Sequence, residues 1–137
     1  MPKDPVFQLC DIVRETAYAI HEYLGPGHLE KVYENALAHR LEKLSIPFRC
    51  QVPLAVHDED GFLLGQFAAD MLVDGILIVE IKAARSFANE HIAQLLGYLR
   101  ASGIEHGLLV NFGAGRFEIR KYIWSKGWGW PEVENLD

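Results

Sequence analysis

Asp70-Met71-Leu72-Val73-Asp74-Gly75-Ile76-Leu77-Ile78-Val79-Glu80-Ile81-Lys82 is the stretch that decides the fold. Asp74-Gly75 is a strong hairpin signal. The run before it, Phe62 to Val73, reads as a long strand with a bulge at Gly65, and the run after it as its antiparallel partner. Ile76 to Val79 is apolar on both faces, so this second strand belongs in the middle of a sheet. The strand then ends on Glu80-Ile81-Lys82. Side chains alternate across a sheet, so Glu80 and Lys82 share one face and Ile81 takes the other. The hairpin sets Asp70 across from residues 79–80, which brings two carboxylates within a few ångströms. Bare, they repel, and one pKa must rise. A hard divalent cation removes that conflict, because Mg²⁺ takes oxygen ligands and typically uses one or two carboxylates with waters and phosphates. Lys82 would stand next to the ion, placed to orient or deprotonate a water and to offset charge in a phosphoryl transition state. The same three residues also suit an ordinary surface ion network near strand ends.

The flanking sequence supplies helices. Val6, Leu9, Cys10, Val13, Ala17, Ile20 and Leu24 recur at a helical period over 6–24, and Gly25-Pro26-Gly27 stops the pattern. A second helix runs from Leu29 to Leu44 on a stripe of Leu29, Val32, Tyr33, Ala36, Leu37 and Leu41. Glu30 falls in its first turn, where the helix dipole favours a carboxylate; the functional alternative is a further acid for the metal site. Phe48 to Val56 alternates as a strand, with Pro53 marking an edge. Ser86 caps a third helix over 87–102, closed by Gly103. On that helix His91, Gln94 and Tyr98 make a polar stripe opposite Ile92, Leu95, Leu96 and Leu99. A strand from Gly107 to Phe112 follows, so the helix is a crossover between parallel strands and returns beside Glu80. Gln94 and Tyr98 are then in reach of Lys82 or a phosphate, or else form a solvated face. Arg116 to Trp124 hairpins back through Gly113-Ala114-Gly115.

The order ααβββαββ predicts an α/β fold with a central mixed sheet flanked by helices. The chain reads as one domain over 1–126, followed by a 127–137 tail that is Trp-rich (Trp128, Trp130) and then acidic. Of 137 residues, 13 are basic and 19 acidic, a net charge of −6. Residues 82–126 nevertheless hold 7 basic and 3 acidic side chains, a local excess able to face a polyanion or to be a fluctuation of a mixed surface. The longest stretch without Asp, Glu, Lys or Arg is ten residues, His106 to Gly115, against the roughly 20 apolar residues that a membrane helix needs. With no secretory pattern at the N-terminus, the expectation is a cytoplasmic protein with no membrane partner. Cys10 and Cys50 both fall on apolar phases and are expected as buried free thiols. No CxxC or HxxxH pair supports zinc.

Asp70, nine residues, then Glu80-Ile81-Lys82 resembles the signature of the PD-(D/E)XK nuclease superfamily. Gly27-His28-Leu29-Glu30-Lys31-Val32-Tyr33 resembles the Gly-x-x-Glu-x-x-Tyr signature of the small GxxExxY protein family. So do Leu24-Gly25-Pro26-Gly27, Ile46-Pro47-Phe48, Gln51-Val52-Pro53-Leu54, the Ala93 to Leu99 run and the Leu108 to Gly113 run, between about 6 and 124. The resemblance implies a restriction-endonuclease-like core and hydrolysis of phosphodiester bonds in DNA or RNA. It implies Asp70 and Glu80 as ligands of Mg²⁺ (or Mn²⁺), with the Ile81 carbonyl, and Lys82 acting on the attacking water. Glu30 would match the acid on the helix before the core sheet, and Gln94 and Tyr98 the Gln-x-x-x-Tyr helix. Ala68, where family members tend to carry Arg or another polar residue, departs from the pattern and weakens any phosphate contact there. The chemistry expected is a metal-dependent nuclease. The alternative is a nuclease-fold module that binds nucleic acid or a protein partner without cutting. The small size favours a homodimer or a protein partner on either view; Trp124, Trp128 and Trp130 read either as that contact or as a cluster folded back over the core, the second being slightly favoured.

Overall fold

The computed structural model describes residues 4–125 and the backbone of 132–135. Helix α1 (Pro5–Leu24) starts with Asp4 as its cap, the carboxylate accepting from the Val6 N–H at 3.0 Å, and with Pro5 in the first turn. Helix α2 (Glu30–Lys43) follows the Gly25-Pro26-Gly27 break. Its buried stripe, Tyr33, Leu37 and Leu41, is narrower than the sequence suggests, since Leu29 and Val32 are exposed. Strands β1 (Phe48–His57), β2 (Leu63–Val73) and β3 (Leu77–Lys82) form an antiparallel meander. Helix α3 (Asn89–Ser102) crosses over to β4 (His106–Asn111), which pairs parallel to β3. Strand β5 (Glu118–Ile123) returns antiparallel to β4, and β6 (Glu132–Asn135) adds outside it.

The sheet order is therefore β1-β2-β3-β4-β5-β6, the mixed α/β sheet expected, with β1 and Pro53 on an edge and β3 buried in the middle. The sixth strand lies in the acidic part of the tail, to which the sequence assigns no element. Trp128 and Trp130 fall outside the described residues. Among the described residues no helix is long and apolar enough to cross a membrane.

Two apolar layers hold the sheet. Leu9, Val13, Ile20, Tyr33, Leu37 and Leu41 of α1 and α2 pack on one face against Met71, Val79, Ile81 and Val110. Leu95, Tyr98 and Leu99 of α3 pack on the other, against Ile78, Leu109 and Tyr122.

Three local expectations change. The bulge lies beside Gly65, at Leu64, where the register steps from Val56↔Gly65 to His57↔Leu63. Helix α3 is not capped by Ser86: its cap is Ala88, whose N–H donates to His91 Nδ1 at 3.1 Å, so the imidazole closes the first turn. Cys10 is buried but Cys50 is exposed. The next residue, Gln51, has φ 53°, a left-handed kink that breaks the strand alternation on this edge.

Candidate active site

The β2–β3 ladder runs through Val73↔Leu77, Leu72↔Ile78 and Met71↔Val79, and goes no further. On the other side of β2 the register has Cys50↔Met71 and Val52↔Ala69 but no partner for Asp70. The strands therefore part at Asp70, and side chains replace the missing ladder. The Asp70 N–H donates to Glu80 Oε1 at 2.8 Å, and the Ile81 N–H donates to Asp70 Oδ2 at 2.8 Å. Each carboxylate satisfies a backbone donor of the other strand, which leaves its second oxygen uncommitted to the backbone.

Glu80 is only 2 % exposed. Burial, and then the charge of Asp70, pushes its carboxyl up to about 8; the Asp70 N–H and Lys82 pull the other way without prevailing. This is the conflict that the spacing predicts. The Lys82 ammonium donates to Gln94 Oε1 at 2.7 Å, so α3 holds the lysine on the Glu80 face. Tyr98 is nearly buried, and its phenol is raised by burial and then by Glu80 and Asp70. Asp70, Glu80, Lys82, Gln94 and Tyr98 are thus gathered at one end of the central strands.

Glu30 is exposed in the first turn of α2, and among the described residues no hydrogen bond or ion pair ties it to the pair. The buried acid of α2 is Glu34, one turn later on the same face, although the sequence leaves it with Lys31, Arg40 and Lys43 among the charges largely on other faces. It accepts from Gln51 Nε2 at 2.8 Å and from the Lys31 ammonium. Lys31 is raised by Glu34 first and by Asp70 among the weaker influences, so this group borders the site. A carboxylate on the Tyr33-Leu37-Leu41 stripe side of an otherwise charged helix is the signal that would have found it.

The loop after Lys82 is fixed by residues with no chemistry of their own. Asn111, fully buried, accepts from the Ala84 N–H (3.0 Å) and the Gly113 N–H (3.0 Å), and donates to the Ala84 carbonyl (2.9 Å) and to Glu118 (2.9 Å). The Phe112 N–H donates to the Lys82 carbonyl at 2.9 Å. A Cβ on Gly113 would lie 2.3 Å from the Ala83 carbonyl carbon, so only glycine fits under this loop. An asparagine inside an apolar strand was its sequence signal. Tyr33 does similar work on the other side: its hydroxyl donates to the Gly25 carbonyl (2.6 Å), accepts from the His28 N–H (3.1 Å), and its ring stacks on Phe112 at 4.6 Å.

The donor set fits a hard cation. Among the described residues no group of three or more His, Cys, Asp or Glu side chains is close enough to hold a metal. Two adjoining carboxylates are nevertheless sufficient for Mg²⁺, which keeps several waters. The raised Glu80 is a buried acid with a second acid beside it, the arrangement that a bound cation relieves.

Comparison with known proteins agrees with this fold. The family profile described as PD-(D/E)XK nuclease superfamily matches residues 7–122. No curated protein matches the chain. Among solved structures, the crystal structure of SSO0001 is similar in fold, with a TM-score of 0.54 and 20% identity. The match covers 69% of this chain and 50% of that one, so the chain spans half the length of its structural relative.

Proposed function

This chain belongs to the PD-(D/E)XK nuclease superfamily, and we propose that it hydrolyses phosphodiester bonds in DNA or RNA with Mg²⁺ or Mn²⁺ as cofactor. Within the superfamily we assign it to the GxxExxY group on Gly27, Glu30 and Tyr33; the role of Tyr33 in fastening the Gly25 loop supports this.

The observation that carries the reading is the mutual arrangement of Asp70 and Glu80 where β2 and β3 part. Asp70 and Glu80 hold the ion, with the Ile81 carbonyl as a further ligand. Glu30, exposed at the start of α2, and Glu34, buried one turn later, add two further acids on the same helix. A bound divalent cation supplies Lewis-acid stabilisation of the charge that builds on the phosphate. Lys82, steered by Gln94, orients the attacking water and counters the same charge with its ammonium. Tyr98 offers a hydroxyl beside the two acids, able to donate to a phosphate oxygen.

The test is cleavage of labelled DNA and RNA by purified protein with Mg²⁺ or Mn²⁺. Lys82→Ala should lower the rate by roughly 10²–10⁴-fold, the size of a general acid–base contribution, while leaving the circular dichroism spectrum and metal binding intact. Asp70→Ala should abolish both metal binding and cleavage. Folded protein that binds nucleic acid in EDTA as well as in Mg²⁺, and never cuts it, would favour the non-cleaving module.

A further inference from the structure

An open cleft of about 580 Å³ lies between the β1–β2 hairpin and α3, within the size range of ligand pockets. Val56, Leu64 and Phe67 form one wall, and Ala93, Gly97 and Tyr98 the other. The cleft adjoins the proposed active site through Gln94, which lines it and accepts from the Lys82 ammonium at 2.7 Å. Phe67 is half exposed, and its ring centroid lies 6.0 Å from that of Tyr98.

Resting on the nuclease reading, we propose that this cleft is the base-binding subsite of the same active site. It receives an unpaired nucleobase of the strand whose phosphate lies at Asp70, Glu80 and Lys82. The substrate is therefore single-stranded, or locally unpaired, nucleic acid.

Three observations carry the assignment. The lining is apolar and aromatic, and the charged residue on it, Glu90, is an acid that repels phosphate. The part of a nucleotide suited to such a surface is the flat face of its base, which stacks on aromatic rings whatever its sequence. A base inside a duplex is already stacked and paired and cannot enter. Second, Leu64 and Phe67 stay 61% and 49% exposed beside a site built for a polyanion, apolar surface left open at that site. Third, Gly97 sits inside α3 with no positive φ to explain it, and an added Cβ would meet nothing within 4 Å. Alanine would suit the helix better. What glycine provides here is depth in the cleft.

The test measures equilibrium binding of a short labelled single strand, DNA and RNA, and of the matching duplex. Lys82→Ala protein in Mg²⁺ is the background, so that turnover does not intrude. Single strands should bind more tightly than duplex. Phe67→Ala, which removes a stacking face, and Gly97→Leu, which fills the cleft, should each weaken single-strand binding by roughly five- to 150-fold, the effect of one base–aromatic stack. Both should melt as cooperatively as the parent; if Gly97→Leu does not fold, Phe67→Ala alone decides. Single-strand binding unchanged in Phe67→Ala, as expected if the cleft served a protein partner, or a preference for duplex, overturns the subsite. If unmutated protein still cuts nucleic acid, the nuclease reading survives that failure. If it neither cuts nor binds any nucleic acid, both fall together.

Discussion

Replacing Glu80 with glutamine should stabilise the metal-free protein at alkaline pH. An ordinary Glu carboxyl ionises near 4.5, whereas in the fold Glu80 does so near 8. Between those values the folded protein keeps a proton that the unfolded chain has lost. A raised acid of this kind contributes stability that is full below about pH 4.5 and is lost as the pH climbs through about 8. A shift from 4.5 to 8 corresponds to at most about 5 kcal/mol, a large share of the roughly 5–15 kcal/mol by which a domain is stable. Glu80→Gln imitates the protonated acid: its amide oxygen still accepts from the Asp70 N–H, and it has no charge to set against Asp70. In EDTA, urea unfolding should therefore show the unmutated protein losing stability relative to Glu80→Gln between about pH 5 and pH 8.5, with the variant the more stable at the upper end. Saturating Mg²⁺ or Mn²⁺ should restore the unmutated protein and do little for the variant, since an ion bound only to the folded state stabilises it by mass action. Equal pH dependence of the two proteins in EDTA, or a variant less stable at pH 8.5, would refute the electrostatic argument.

Three further outcomes follow from the supports around the site. Asn111→Ala strands the Ala84 N–H, the Ala84 carbonyl and the Gly113 N–H, and should cost about 3 kcal/mol in chemical denaturation while slowing cleavage by loosening Lys82. Gly113→Ala drives a methyl into the backbone of Ala83 and Ala84, and should cost at least about 3 kcal/mol, seen as a collapse of the melting temperature. Tyr33→Phe removes one hydroxyl that serves two backbone partners, and should cost about 1–2 kcal/mol without altering metal affinity measured by calorimetry.

Much of this was legible in the residues. Asp74 and Gly75 both adopt positive φ, as the hairpin signal requires, and that turn alone sets Asp70 opposite Glu80. The crossover from β3 through α3 to β4 follows from element lengths, and it is what carries Gln94 to Lys82. The misses have physical causes. A histidine ring accepting from its own helix start has no fixed motif, so Ser86 was the natural cap to expect. The kink at Gln51 reverses the side-chain phase of an edge strand and exposes Cys50, and a positive φ at a non-glycine residue leaves no mark in composition. Glu34 left only the faint mark of its place on the Tyr33-Leu37-Leu41 side, because a helix acid reads as solvated until a partner is known; its partner Gln51 comes from a strand 17 residues away. The sixth strand, in a short acidic stretch, is held by pairing to β5 rather than by any pattern of its own.

A divalent cation at the parting of β2 and β3 is what the proposed chemistry requires, and a crystal soaked in Mn²⁺ tests that most directly. An anomalous peak bonded to Asp70 and Glu80, and absent from Asp70→Ala crystals, is the predicted result. A Mn²⁺-saturated crystal with no peak between those two carboxylates would contradict it.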